Sequence, residues 1–117
     1  MAGFFLADKT DDITVIRLTF NEINLEEREE LKNDFVNIAS SGESKFVIDF
    51  SKVGFLSSLV IATVIFFAKE VEKHQGTVKL CSLRDEALNV ARVTHLDKAF
   101  EIYDTEHDAT ESFQVSR

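Results

Sequence analysis

The amino-acid sequence predicts an α/β fold, a mixed β-sheet of four to five strands covered by about four helices. Three features carry that expectation. Two apolar segments near the amino end, residues 4–7 and 13–20, flank the polar stretch Asp8-Lys9-Thr10-Asp11-Asp12 and read as a hairpin. The run Phe46-Val47-Ile48 is short, wholly apolar and bounded by polar residues, the pattern of a central strand covered on both faces. From there strand-like and helix-like segments alternate, which sets parallel strands side by side with helices as crossovers.

Each element has its own signal. Asn24-Leu25-Glu26-Glu27 resembles a capping box, and Leu25, Leu31, Phe35 and Ile38 then mark one face of a helix that ends near Ser40-Ser41-Gly42. Glu and Lys occupy its other face, and the acidic run Glu26-Glu27-Arg28-Glu29-Glu30 reads as solvated. After the central strand, Ser57 and Ser58 open an apolar helix that runs to about His74, where the imidazole complements the helix dipole. Gln75-Gly76 stops that helix and residues 77–81 form the next strand. Ser82-Leu83-Arg84-Asp85 opens a helix carrying Ala87, Leu88, Ala91 and Val93. A turn around His95-Leu96-Asp97 leads to an edge strand over 100–103, and a final short helix runs from Thr105, His107 and Asp108 through Phe113. Pro is absent and Gly occurs four times, so no flexible linker divides residues 1–117, which read as one domain.

Composition excludes several function classes. With 13 basic and 21 acidic residues the formal net charge is −8, and no basic patch offsets it, so neither nucleic acid nor an anionic membrane surface is expected as a partner. The longest apolar stretch, residues 59–68, is about half of the ~20 residues a membrane span needs, so direct membrane insertion is not expected. The amino end lacks the basic segment and cleavage site of a secretory signal, which predicts a cytoplasmic protein. Cys81 has no second cysteine to pair with and reads as a small buried hydrophobe.

Signals for catalysis or cofactors are thin. His74, His95 and His107 are far apart, and no Cys-x-x-Cys or His-x-x-x-His pair occurs, so no metal site is expected. No Gly-rich phosphate loop is present, and no cofactor is expected. A hydrolase built on Ser57 would need an adjacent base, yet Gly-x-Ser-x-Gly is absent and the nearest histidine in sequence is seventeen residues away on the same helix. Asp49 and Ser51 read as a turn closed by a side-chain hydrogen bond.

The informative place is the start of the second helix. Its first N–H groups lack intrahelical partners and carry the positive end of the dipole, so a hydroxyl there caps the helix and a phosphate there is stabilised. Ser57, and after it Ser58, are the candidate acceptors. Leu56, Leu59 and Val60 could form an aliphatic docking patch around them or turn into the core.

The strand Phe46-Val47-Ile48-Asp49, the following Ser51-Lys52-Val53-Gly54-Phe55-Leu56-Ser57-Ser58, the strand Gly76-Thr77-Val78-Lys79-Leu80-Cys81 and the segment Val93-Thr94-His95-Leu96-Asp97-Lys98-Ala99-Phe100-Glu101-Ile102-Tyr103-Asp104 together resemble the STAS family, named for sulfate transporters and anti-sigma factor antagonists. The resemblance spans nearly the whole chain and implies a STAS-like sheet with a binding surface on the serine helix. In similar bacterial members it implies partner switching. The unphosphorylated domain binds an anti-sigma factor that is also a serine kinase; phosphorylation at the helix start ejects it, and a serine phosphatase resets it. The family's phosphoacceptor is the first serine of an Asp-Ser-Ser-Gly-like motif, which falls on Ser57, with Ser58 as second choice. The partner-binding residues implied are Gly54, Leu56, Ser57, Ser58 and Leu59. Leu56 stands where the family has Asp, and Leu59 where it has Gly. An alternative is therefore a STAS subunit never phosphorylated, held in a signalling scaffold or a lipid-transport ABC complex. Neither reading requires a catalytic group in this chain, and the oligomeric state stays open.

Overall fold

The computed structural model of the chain describes residues 4–20 and 22–114; the expected domain, 1–117, extends past both ends of that range. Five strands lie in the order β1-β2-β3-β4-β5. They are β1 (Phe5–Thr10), β2 (Ile13–Leu18), β3 (Lys45–Asp49), β4 (Thr77–Cys81) and β5 (Ile102–Tyr103). The first pair is antiparallel and all others are parallel. Because strand order follows chain order, each parallel crossover helix lands on the same side of the sheet. The helices are α1 (Leu25–Ala39), α2 (Ser58–Lys73), α3 (Asp85–Val93), α4 (Leu96–Ala99) and α5 (Glu106–Gln114).

Side-chain alternation sorts the strands between two cores. Ile16 and Leu18 of β2, Phe46 and Ile48 of β3, and Val78 and Leu80 of β4 face α1 to α4. Ile13, Val15, Val47 and Cys81 face Ala109 and Phe113 of α5. The first core is built on aromatic rings: Phe67 of α2 lies 4.5 Å from Phe35 of α1 and 5.2 Å, edge-on, from Phe46 of β3.

On the second face two cations hold α5 down. The Arg17 guanidinium donates to both carboxylate oxygens of Glu106, at 2.6 and 3.0 Å, and also to Asp8; these partners raise its pKa still further above its already high ordinary value. Lys79, 8 % exposed, donates to Ser112 Oγ at 2.8 Å and sits 4.2 Å from the centre of the Phe113 ring.

The predicted capping box is present: Asn24 Oδ1 accepts from Glu27 N at 2.7 Å, and Asn24 N donates to Glu27 Oε1 at 3.0 Å. Gly76 is required by close approach at the turn from α2 into β4. A Cβ there would lie 2.6 Å from Val71 Cγ1 and 2.9 Å from the Ser44 carbonyl oxygen.

The structure corrects two expectations. Leu25 is 68 % exposed rather than part of the buried face of α1. Six residues at ~100° each leave it about 120° from Leu31, while Leu31, Phe35 and Ala39 line the core. The first hairpin turns on Asp11 and Asp12 alone, and β1 runs through Asp8, Lys9 and Thr10. Their polarity marks an uncovered edge strand, and Asp11 takes the left-handed conformation (φ 57°) that a tight hairpin turn needs. The expected fold holds, and among the described residues the helices number five, the short α4 arising within the expected turn around His95-Leu96-Asp97. His95, at φ 63°, breaks the chain out of α3 and drops Leu96 into the core as the first residue of the short α4.

Candidate functional site

The loop from β3 to α2 positions the serines, and its fold follows from spacing. Phe50, Val53 and Leu56 recur every three residues, and all three are buried, pinning the loop to the core. The residues between them, Ser51, Lys52, Gly54 and Phe55, are exposed. The loop is closed at its start by Phe50 N donating to the Cys81 carbonyl (3.0 Å) and Val53 N donating to the Phe50 carbonyl (2.9 Å). Asp49 makes the expected turn: its Oδ2 accepts from Ser51 Oγ at 2.6 Å and Ser51 N at 3.4 Å.

Ser57 caps α2. Its backbone is extended (φ −77°, ψ 162°), its Oγ accepts from Val60 N at 3.2 Å, and its carbonyl accepts from Ile61 N at 3.0 Å. The side chain is half-buried, and Ser58, the first helical residue, is exposed. The first turn of α2 carries no acidic residue, whereas α1 has Glu26 and Glu27, α3 has Asp85 and Glu86, and α5 has Glu106 and Asp108. The positive end of its dipole is therefore not offset by a side chain of its own first turn. From α1, Arg28 Nε donates to Thr63 Oγ1 at 3.1 Å, and Thr63 Oγ1 donates to the Leu59 carbonyl at 2.7 Å. A guanidinium is thus held against the second turn of α2.

Of the residues expected to meet a partner, Gly54 and Ser58 are exposed, and Ser57 and Leu59 half-buried. Leu56 is 1 % exposed and contributes its side chain to the core, so it is not part of a docking surface; Val60 is buried as well. The three-residue anchor spacing turns Leu56 under the helix start. The same spacing turns Phe55 outward, 50 % exposed, beside the serines. Sequence reasoning passed over Phe55, although the Phe50-Val53-Leu56 periodicity was the signal for it. His74, at the far end of α2, is separated from Ser57 by roughly 25 Å of helix at ~1.5 Å per residue.

The sequence model of the STAS domain matches residues 5–109. The chain belongs to the STAS domain family. It is 23% identical over 109 residues to BtrV of Bordetella bronchiseptica, a protein assigned as an anti-sigma factor antagonist, with 93% of each chain covered. Among solved structures it resembles a protein of Thermotoga maritima with the same assignment, at a TM-score of 0.83, 23% identity and 94% coverage of each chain. It also resembles Bacillus SpoIIAA in its phosphorylated form, at a TM-score of 0.69 and 21% identity, covering 93% of this chain and 98% of that one. The structural likenesses are likenesses of fold.

Within this STAS domain no described helix is long and apolar enough to cross a membrane. Among the described residues no three His, Cys, Asp or Glu side chains are grouped to hold a metal ion. Cys81, fully buried as expected, donates to Asp49 Oδ1 at 3.5 Å. Burial, aided by the Asp49 charge and opposed by Ser82, pushes its thiol from 9.0 up to about 12. Two outcomes are expected. A thiol reagent at neutral pH should leave the native protein unmodified and label it on unfolding. Because the folded pKa is the higher one, Cys81 contributes its stability fully below pH about 9 and loses it as pH rises to about 12. Urea midpoints of wild type and Cys81→Ala should therefore converge or cross over that interval; a constant difference would refute it.

Proposed function

We propose that this STAS domain is an anti-sigma factor antagonist whose partner surface is centred on Ser57 and switched by phosphorylation there. The observation that carries the proposal is the Ser57 hydroxyl at the N-cap of α2, ahead of a first turn free of acidic side chains and next to exposed Ser58 and Phe55. The assignment of BtrV as an anti-sigma factor antagonist and the phosphorylated form of SpoIIAA support it.

In the unphosphorylated state Gly54, Phe55, Ser57, Ser58 and the exposed part of Leu59 present a small, nearly uncharged surface to an anti-sigma factor that is also a serine kinase. The kinase transfers a phosphoryl group from ATP to Ser57 Oγ: the O–P bond forms, the terminal anhydride bond breaks, ADP leaves, and the hydroxyl proton passes to a base on the kinase. The phosphate brings about −1.5 to −2 charge, which the α2 dipole stabilises on this chain. At the interface the same charge must be desolvated, and the complex dissociates. A serine phosphatase hydrolyses the ester and restores the surface. Ser58 is the second candidate acceptor.

A second reading rests on Leu56. The family's acidic neighbour is replaced by a buried leucine, which leaves the hydroxyl without that orienting group and favours a constitutively bound, unphosphorylated subunit of a scaffold or lipid-transport complex. The experiment that separates them is phosphopeptide mass analysis of the native protein with its co-purifying proteins, followed by affinity measurements on Ser57→Ala and Ser57→Asp. A switch predicts phosphate on Ser57, wild-type affinity for Ser57→Ala, and affinity reduced about tenfold or more for Ser57→Asp. An unmodified protein whose two variants bind alike would establish the constitutive subunit.

A further inference from the structure

We propose that two copies of this chain associate edge to edge through β1, forming an antiparallel sheet that continues across a two-fold axis at Ala7. Among the described residues β1 pairs only with β2, so its outer edge is open. In an antiparallel ladder alternate residues direct both main-chain polar groups at one neighbour. The bond from Thr19 N to the Phe4 carbonyl (2.8 Å), with the Thr10↔Ile13 register, sets the phase. Phe4, Leu6, Asp8 and Thr10 are committed to β2, while Phe5, Ala7 and Lys9 point their N–H and C=O groups outward.

That phase selects the register. With Ala7 opposite Ala7, the outward residues pair as Phe5 with Lys9, Ala7 with Ala7 and Lys9 with Phe5, giving about six main-chain hydrogen bonds. A dyad at Asp8 would set two aspartates face to face, and a dyad at Leu6 would set Lys9 opposite residue 3, outside the described residues and away from Phe5 and its groove.

Side chains complement each other in the same register. Phe5 and Ala7 lie on the α1 face, where Phe5 stacks 5.7 Å from Phe35 and both border an open groove with Asp34, Asn37 and Ile38. Asp34 is half-buried and, among the described residues, forms no ion pair. Directly opposite residues share a face, so the second copy's Lys9 stands across from Phe5, beside that groove and its carboxylate. Within one copy Lys9 is exposed and pairs with Glu43 at the surface, so little is lost when it turns to Asp34. On the other face Leu6, 60 % exposed, meets its symmetry mate diagonally across the axis. None of these residues belongs to the β3-α2 loop, so the proposal stands independently of the phosphoswitch.

The test is sedimentation of the whole chain over about 1 μM to about 1 mM, a span that brackets a weak dimer. The expected result is a mass rising from one chain to two. Ala7→Pro, which removes an outward N–H without touching the β1-β2 ladder, should weaken association about tenfold or more while circular dichroism stays native. Lys9→Glu and Asp34→Lys should each weaken it, and the double variant should restore it. A single-chain mass throughout, or a dimer indifferent to both charge substitutions, overturns the proposal.

Discussion

Phe67→Ala is expected to lower the free energy of unfolding by about 3–5 kcal/mol, the range for deleting a fully buried aromatic side chain. Phe67 is wholly inaccessible and is the ring on which the first core converges, between Phe35 on α1 and Phe46 on β3. Truncation removes two aromatic contacts and opens a cavity that neither helix can close, because both are tied to the sheet by short connections. Its neighbour gives the comparison. Phe66 is half-buried and sits under the Lys32 ammonium at 4.8 Å, so Phe66→Ala should cost about 1 kcal/mol, mostly lost cation–π and partial burial. Urea unfolding of the two variants measures the difference; equal losses would show that the core is not organised around Phe67.

Leu56→Asp is expected to be comparably damaging, by about 3 kcal/mol or more at neutral pH, although it installs the residue the family carries at this position. Leu56 is 1 % exposed, and an ionised carboxylate there would be buried without a counter-charge. Burial raises the pKa of the introduced carboxyl above its unfolded value, so the penalty is smallest below about pH 4 and grows as pH rises through the folded pKa. Leu56→Ala is the control for the cavity alone and should show no such pH dependence. Wild-type stability for Leu56→Asp would mean that the loop can reopen and expose this position. The functional consequence is that the site cannot be converted to the usual family pattern by one substitution. Leu56 belongs to an anchor set with Phe50 and Val53, and the loop would have to be redrawn.

How much of this was legible beforehand depends on the range of the interaction concerned. Elements with local signals were readable: the Asn24–Glu27 capping box, the Ser57 cap, the β4 strand over 77–81, and the Asp49–Ser51 turn are all decided within a few residues of chain. Errors arose where a local rule was applied beyond its reach. Leu25 precedes the core residues of α1 in an apolar series, yet the six-residue step to Leu31 rotates it off the face. Asp8, Lys9 and Thr10 look like a turn because polar residues crowd loops, but an edge strand with no cover is polar for the same reason.

The amino-acid sequence by itself determined the alternation of strands and helices, their caps and stops, the place of the serines at a helix start and the membership in the STAS family. These follow from backbone propensity, hydrogen-bond satisfaction and hydrophobic period, all of which act between near neighbours. Tertiary structure alone decided which apolar residues around the serines are surface and which are core, turning Leu56 in and Phe55 out. It also decided that Lys79 could be buried, since its Ser112 and Phe113 partners arrive from α5. And it left β1 open at the edge with Asp34 beside it. Those outcomes depend on which elements pack together, and packing partners distant in the chain leave no mark in the local pattern of residues.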